Sequence, residues 1–258
     1  MLHCLDTAPT EIHKLKGLSI SVVRADLVPQ PPLPPYLKMV ELLSFVKYLK
    51  RTEKPKCIGY YAQDTSEWTV VLPMVCREQG IEGLVGFSRK KQLPQFVRDL
   101  GESVVWLTPN MYKVNYYRMK KIIEERNGYM LPMGVEHPYV VKTIRDFFEK
   151  SPLPAADTYI VPVGSGVALS GILQYLKGNE KVVGVCTRPV QSVKQVVDRY
   201  VNHPGLLLVQ EKKASEAPFP HHVFWEGQAW YWLENHLSEL GKRICFVNLG
   251  NHTYPRGE

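Results

Sequence analysis

Three stretches of this chain carry residue types at spacings that can do chemistry. In Tyr159-Ile-Val-Pro-Val-Gly164-Ser165-Gly166-Val167-Ala168-Leu169-Ser170-Gly171 an apolar, β-branched run meets two glycines and a serine and then a helix-forming run. A strand, tight turn and helix in that order aim several backbone N–H groups and the positive end of a helix dipole at one spot, which suits a phosphate. No Gly-Lys-Ser/Thr follows and the full G-x-G-x-x-G run is absent, so this is neither a triphosphate P-loop nor a dinucleotide fingerprint. Lys38 stands in the first turn of an expected helix, and only a primary amine such as its own forms a Schiff base with a carbonyl carbon. In Tyr112-Lys-Val-Asn-Tyr-Tyr-Arg-Met-Lys-Lys121 aromatics alternate with bases. Together with Arg89, Lys90 and Lys91, the side chains of Lys113, Arg118, Lys120 and Lys121 can neutralise phosphates while tyrosines stack on bases; the alternative is a solvated helix with a Tyr seam against the core.

Other chemistries find no support. The eight histidines lack metal-ligand spacing with acidic partners, and no metal is expected. No G-x-S-x-G elbow occurs. The five cysteines are odd in number, widely spaced and without a C-x-x-C pair, as reduced, buried thiols would be. No apolar run of about 18 residues occurs, so no bilayer is expected to be crossed. Asp6, Glu11, His13 and Lys14 stand where a signal peptide needs an apolar segment, so the expected location is the cytoplasm, a host's if the chain is phage-encoded. Of the net charge of +7, the residues 36–150 hold +6, from 19 basic and 13 acidic side chains.

The elements that must position these residues follow from periodicity. Strands are expected over 18–23, 57–61, 83–87, 103–107, 158–163, 181–186 and 243–247, each a short β-branched or apolar run. Helices are expected from about 36 onward through Leu37, Val40, Leu43 and Val46, then over 67–79, 93–100, 112–126, 168–176, 192–201 and 228–240. The proline run at 29–35 must be a loop, because each proline lacks an N–H and restrains the residue before it. Alternating strands and helices argue for an α/β fold with parallel sheets.

The order Arg24-x-Asp26, Lys38 at a helix start, the turn Gln63 to Trp68, Leu131-Pro-Met-Gly134, Gly164-Ser165-Gly166 and Trp225-Glu226-Gly-Gln-Ala229 resembles the tryptophan-synthase-β-like (fold type II) pyridoxal-phosphate enzymes. Within them it is nearest to the branch of 1-aminocyclopropane-1-carboxylate deaminase and D-cysteine desulfhydrase. The likeness runs from about Pro9 to Gly250. It implies two open twisted sheets with flanking helices in two lobes, with pyridoxal 5'-phosphate between them: a smaller, basic lobe at 36–150, and a larger, cofactor-binding lobe from 1–35 with 151–258. A homodimer is implied as well. By the same resemblance Lys38 is the Schiff-base lysine, and Gly164, Ser165, Gly166 and Val167 form the phosphate cup. Glu226 lies beside the pyridine nitrogen, where a carboxylate favours the protonated ring. Thr65 and Ser66 present hydroxyls on the substrate side.

Two departures matter. Val167 and Ala168 replace the last glycine and threonine of the usual Gly-Ser-Gly-Gly-Thr, removing a hydroxyl donor. At the substrate turn the usual Ser-Asn-His is replaced by Gln63-Asp-Thr-Ser-Glu-Trp68, whose acids repel a free carboxylate. The expected activity is a lyase at the α-carbon of an amino-acid substrate. One reading is decarboxylation of an amino acid attached to a thymine base in duplex DNA, as in phage DNA hypermodification, which gives the basic lobe a role. The alternatives are deamination or desulfhydration of a free small amino acid, and a non-catalytic member of the fold.

Overall fold

The computed structural model describes residues 7–28, 37–61, 66, 68–88, 98, 100–176, 178 and 180–250. They fall into two compact units: one holds the described residues up to 37 and from 136 onward, the other 38–135. The second unit carries 16 basic and 10 acidic residues, a net +6.

The first unit is built on six strands: β1 (Thr10–Leu15), β2 (Leu18–Arg24), β7 (Thr158–Val163), β8 (Lys181–Cys186), β9 (Leu206–Gln210) and β10 (Ile244–Asn248), in the order β1-β2-β10-β7-β8-β9. β1 and β2 form an antiparallel hairpin across Lys16-Gly17, and every other pairing is parallel. Strands β7, β8 and β10 are buried almost throughout, as central parallel strands covered on both faces must be. Pro162 is tolerated within β7 for a definite reason. The carbonyl of Val163 accepts from Thr187 on the β8 side, so Pro162 presents its backbone to the β10 side, where the ladder has already ended at Ile160.

Helices α5 (Val167–Leu176), α6 (Val190–Val197) and α7 (Glu226–His236) pack on this sheet, and α4 (Pro138–Lys150) packs on α5. Trp230 on α7 is 1% exposed and meets Phe219 and Phe246 at ring distances of 5.2 and 5.4 Å, the centre of a core that also holds Ile160, Val183 and Leu233. The boundary expected at 150 puts 136–150 in the smaller lobe. By contact α4 belongs to the first unit, since Val141 and Ile144 lie directly against α5 at Gly171. The elements read from the sequence lack this helix, although its buried Val140, Val141, Ile144, Phe147 and Phe148 have helical spacing and Pro138 suits a first turn. They also lack β1 and β9, edge strands with half-exposed patterns.

The second unit has a four-stranded parallel sheet, β5 (Val104–Leu107), β4 (Glu82–Ser88), β3 (Cys57–Tyr61) and β6 (Tyr129–Met130), adjacent in that order. Helix α2 (Trp68–Glu78) packs on β4, and α3 (Tyr112–Glu125) packs on β3 through Met119 and Ile123. Helix α1 (Leu37–Thr52) opens the unit. The α/β architecture of two sheets with flanking helices is the one expected. The helix expected over 93–100 lies largely outside the described residues. No helix among the described residues is long and apolar enough to cross a membrane.

Candidate active site

In the first unit the glycine turn leaves the carboxyl end of β7, where ligands of open α/β sheets bind. Gly166 closes it with φ of 97°, a conformation that L side chains rarely adopt, and its carbonyl accepts from both the N and Oγ of Ser170, each at 2.9 Å. Gly164 lies against the Trp225 indole, where an added Cβ would stand 3.3 Å from the ring. The first-turn N–H groups of α5 at Val167, Ala168 and Leu169 have no helical carbonyl to reach, and Ser165 Oγ approaches one of them, Val167 N, at 3.4 Å. Val167 is 3% exposed, so it offers a ligand its N–H and nothing else. The helix begins at Val167, and the turn has the geometry of an anion cradle.

Glu226 sits in the first turn of α7, 2% exposed, its backbone N donating to His222 O at 3.0 Å. A carboxylate at a helix N-terminus is favoured by the dipole. The chain before it doubles back over the helix start, Ser215 N donating to Gly227 O at 3.0 Å. His221 Nδ1 lies 2.9 Å from Phe219 O; a carbonyl only accepts, so Nδ1 is the donor, while Nε2 stands 3.8 Å from Glu216 Oε2. Arg24-x-Asp26, at the end of β2, is a buried fork: Nε and Nη2 of Arg24 each donate to Asp26 at 2.8 Å, and Nη1 donates to Glu11 at 2.8 Å. Burial works against the charge of Arg24, but Asp26 and Glu11 outweigh it and hold the guanidinium above its ordinary value. Asn248 Nδ2 donates to Asp26 at 3.1 Å and to Pro220 O at 2.9 Å.

Around the start of α7 four buried polar atoms have no hydrogen-bond partner among the described residues, Asn248 Oδ1, Gln228 Oε1, Ser215 Oγ and His221 Nε2; elsewhere in the unit Glu180 Oε2 and both ring nitrogens of His203 have none either. Each such atom costs about 1–3 kcal/mol unless something satisfies it. All four belong to the start of α7, the segment folded over it, or the end of β10 beside it. Polar atoms left waiting, an anion cradle and a buried carboxylate within one unit fit a ligand with both a phosphate and a polar ring.

In the second unit Lys38 occupies the first turn of α1, half-buried. Three residues on, Glu41 is 3% exposed, and burial pushes its carboxyl up to about 7 against an opposing pull from Lys38. At the carboxyl edge of this sheet Asn115, fully buried, ties three strand ends together. Its Nδ2 donates to Ser88 Oγ at 2.9 Å, Thr108 O at 3.0 Å and Tyr61 Oη at 3.4 Å. Its Oδ1 accepts from Arg118 Nη1 at 3.3 Å. The carbonyl of Ser66 accepts from both N and Oγ1 of Thr69, at 3.1 and 2.7 Å, and so starts α2. Thr65, Arg89, Lys90 and Lys91 lie outside the described residues.

The basic candidates on α3 differ from one another. Lys120 and Lys121 pair with Glu124 and Glu125 one turn on, at 3.6 and 3.9 Å. Lys113 and Arg118 have no acidic partner among the described residues and are exposed, as is Tyr117 between them. Sequence reasoning passed over Glu41, Asn115, His221 and Asn248. Glu41 had a signal, a lone carboxylate among Met39, Val40 and Leu42; the other three had none, since their partners come from distant segments.

No family profile matches the chain. It is 22% identical over 279 residues, covering 95% of this chain and 99% of the other, to the glycyl-dTMP PLP-dependent decarboxylase of Pseudomonas phage M6. Among solved structures it superposes on an ACC deaminase homologue with a TM-score of 0.77 at 17% identity, over 96% of this chain and 90% of that one. Maize serine racemase gives 0.68 at 12% identity, over 97% and 91%. The chain therefore has the fold of the fold type II pyridoxal-phosphate enzymes, and the resemblance read from its motifs is borne out.

Proposed function

We propose that this protein is a pyridoxal-phosphate-dependent lyase acting at the α-carbon of an amino-acid substrate, and that its reaction is decarboxylation of an amino acid carried on a thymine base of DNA. The observation that carries the cofactor assignment is the pairing, within one unit, of the Gly164–Gly166 cradle with the buried Glu226 and the unpartnered polar atoms about α7. Pyridoxal phosphate, when bound, supplies a sink for the electron pair that a departing carboxylate leaves behind. The N–H groups of Gly166, Val167 and Ala168 and the Ser165 hydroxyl would hold its phosphate, Lys38 would bind it covalently, and Glu226 would accept a hydrogen bond from its protonated ring nitrogen. Thr65 and Ser66 would meet the substrate.

Decarboxylation is favoured over deamination by two supports. The phage relative, alike along nearly the whole chain, is named for that reaction on glycyl-dTMP. Loss of carbon dioxide also needs no base at the α-carbon, only a sink and a proton for the product, and the acids around Thr65 and Ser66 suit a departing carboxylate poorly held. The polymer part of the reading draws on the +6 of the second unit and on Lys113 and Arg118, cations that no acidic side chain among the described residues neutralises.

Borohydride reduction of the protein with its cofactor, followed by peptide mass mapping, is expected to label Lys38; a label elsewhere overturns the assignment. Product analysis separates the reactions. Carbon dioxide release from glycyl-modified duplex DNA supports the proposal, and ammonia or sulfide from free D-cysteine with no action on DNA overturns it in favour of the deaminase-like alternative.

A further inference from the structure

We propose that Arg118, held in place by Asn115, takes a phosphate of the nucleotide substrate on the Nε and Nη2 edge of its guanidinium. The inference rests on the reading of the substrate as a thymine nucleotide of DNA, and it names the side chain that recognises the phosphate. Asn115 and Arg118 stand three residues apart on α3, a spacing that puts both on one helix face. Asn115 is fully buried, and its hydrogen bonds fix which way the amide points. Nδ2 donates to the Thr108 carbonyl at 3.0 Å; a carbonyl only accepts, so Oδ1 is the atom that faces Arg118 Nη1, at 3.3 Å. Through Nδ2 the same amide reaches Tyr61 and Ser88, the last residues of β3 and β4, while Thr108 follows β5. The arginine is therefore anchored at the carboxyl edge of this sheet. With β4 and β5 on one side of β3 and β6 on the other, strand order reverses at β3, and such a reversal is where open α/β sheets take ligands. Tyr61 also leads directly into the turn at 63–68 expected to meet the substrate.

The partner of this guanidinium is a neutral amide, which sets it apart from its neighbours in type. Arg126, Arg145, Arg199 and Arg243 each meet a carboxylate, at 3.3, 2.7, 3.1 and 2.7 Å. Arg118 meets none among the described residues, so its charge is left for an anion, and the tether at Nη1 leaves the parallel N–H groups of Nε and Nη2 to grip one in bidentate fashion. Ordering the side chain before the ligand arrives lowers the entropy cost of binding. Phosphate suits the surroundings better than the carboxylate of a free amino acid. Lys113 and Tyr117, four residues apart and both exposed, share the adjoining stripe of α3. The Tyr117 ring meets the Tyr116 ring edge-on at 5.6 Å, and the Tyr116 hydroxyl donates to Leu131 O at 3.3 Å, which gives the exposed ring a fixed support. A second cation and a supported aromatic ring beside the arginine fit a strand of nucleotides, with phosphates on the cations and a base on the ring.

The test compares Arg118 variants of the full chain with its cofactor, binding a duplex oligonucleotide over a range of salt. Arg118→Gln is expected to bind about tenfold weaker and to lower the slope of log Kd against log salt by about one. Arg118→Lys keeps the charge but not the fork, so it should retain the slope and still bind several-fold weaker. On modified DNA the loss should fall on KM and leave kcat nearly unchanged. Asn115→Ala should cost about as much as Arg118→Gln, and the double variant no more than either; costs that add in full overturn the positioning role. If Asn115→Ala does not fold, the two Arg118 variants and a chemical probe decide. In that probe hydroxyphenylglyoxal labels the arginines of the parent holoenzyme, and Arg118 is followed by peptide mass spectrometry. Thymidine 5'-monophosphate is expected to protect Arg118, and thymidine or glycine to leave it reactive. An Arg118→Gln protein with the parent's affinity and slope overturns the proposal, and so does protection by glycine alone or by none of the three. A parent protein that binds no DNA would sink the reading of a polymer substrate, leaving protection by thymidine 5'-monophosphate to judge the phosphate site.

Discussion

Asp26→Asn is the sharpest test of the site's foundations. Asp26 is fully buried, accepts two hydrogen bonds from Arg24 at 2.8 Å and a third from Asn248 at 3.1 Å. The asparagine keeps the shape but turns an amide NH2 toward a guanidinium N–H and removes the negative charge that compensates a cation only 3% exposed. Breaking a buried pair by deleting one partner costs about 3–5 kcal/mol. Glu11 still holds Nη1, yet its side chain is 38% exposed, and pairs with exposed partners return less than about 1 kcal/mol. A net loss near 3 kcal/mol follows, or a fall in Tm of roughly 6–12 °C at about 2–4 °C per kcal/mol. Urea unfolding is followed by tryptophan fluorescence in a background carrying Trp68→Phe and Trp106→Phe, so that the signal comes from Trp225, Trp230 and Trp232 of the first unit. Asp198→Asn, which breaks the exposed Lys194–Asp198 pair, serves as control and should cost less than about 0.5 kcal/mol. Arg24→Met combined with Asp26→Leu should recover most of the loss, because it removes both charges together. Equal costs for Asp26→Asn and Asp198→Asn would refute the reasoning.

Glu226→Gln should leave cofactor retention intact yet slow turnover on the order of a hundredfold, if the carboxylate supplies a few kcal/mol at the ring nitrogen; unchanged turnover reduces Glu226 to a structural residue. Lys113→Glu with Arg118→Glu should weaken duplex DNA binding more than Lys120→Glu with Lys121→Glu, because the latter pair is already neutralised within its helix; a titration at several salt concentrations in which both variants bind like the parent contradicts the nucleic-acid face. Burial pushes the Glu41 carboxyl up from 4.5 to about 7, so between those pH values the folded chain holds a proton that the unfolded chain has released. Stability is therefore lost as pH rises through that window. Glu41→Gln should be neutral near pH 4 and stabilising on the order of 3 kcal/mol at pH 8, as read by denaturant midpoints; equal gains at both pH values would rule out titration as the cause.

The motifs that carried recognition were all local. Gly164-Ser165-Gly166 requires only that a strand end and a helix begin, and the β-branched run before it and the apolar run after it specify both. Lys38 in a first turn follows from the proline run and the spacing of Leu37, Val40 and Val46. The helix at Pro138–Lys150 is equally legible, in Pro138 and the spacing of Val140, Ile144 and Phe147. The edge strands β1 and β9 gave weaker signals, since half-exposed strands dilute the alternation that marks a buried face.

The sequence by itself determined where strand, turn and helix follow one another, because propensity and periodicity act over a few residues. It also determined that Lys38 and Glu226 stand at helix starts. Only the tertiary structure decided which polar groups are satisfied. Asn115 gathers Tyr61, Ser88 and Thr108 from three strands, and Asn248 joins Asp26 across 222 positions of chain while its own oxygen stays unpartnered. It decided, too, that Lys120 and Lys121 are neutralised where Arg118 is not, and that Glu41 lies out of water. Burial and partnership depend on segments far apart in the chain, and no local pattern encodes which segments those are.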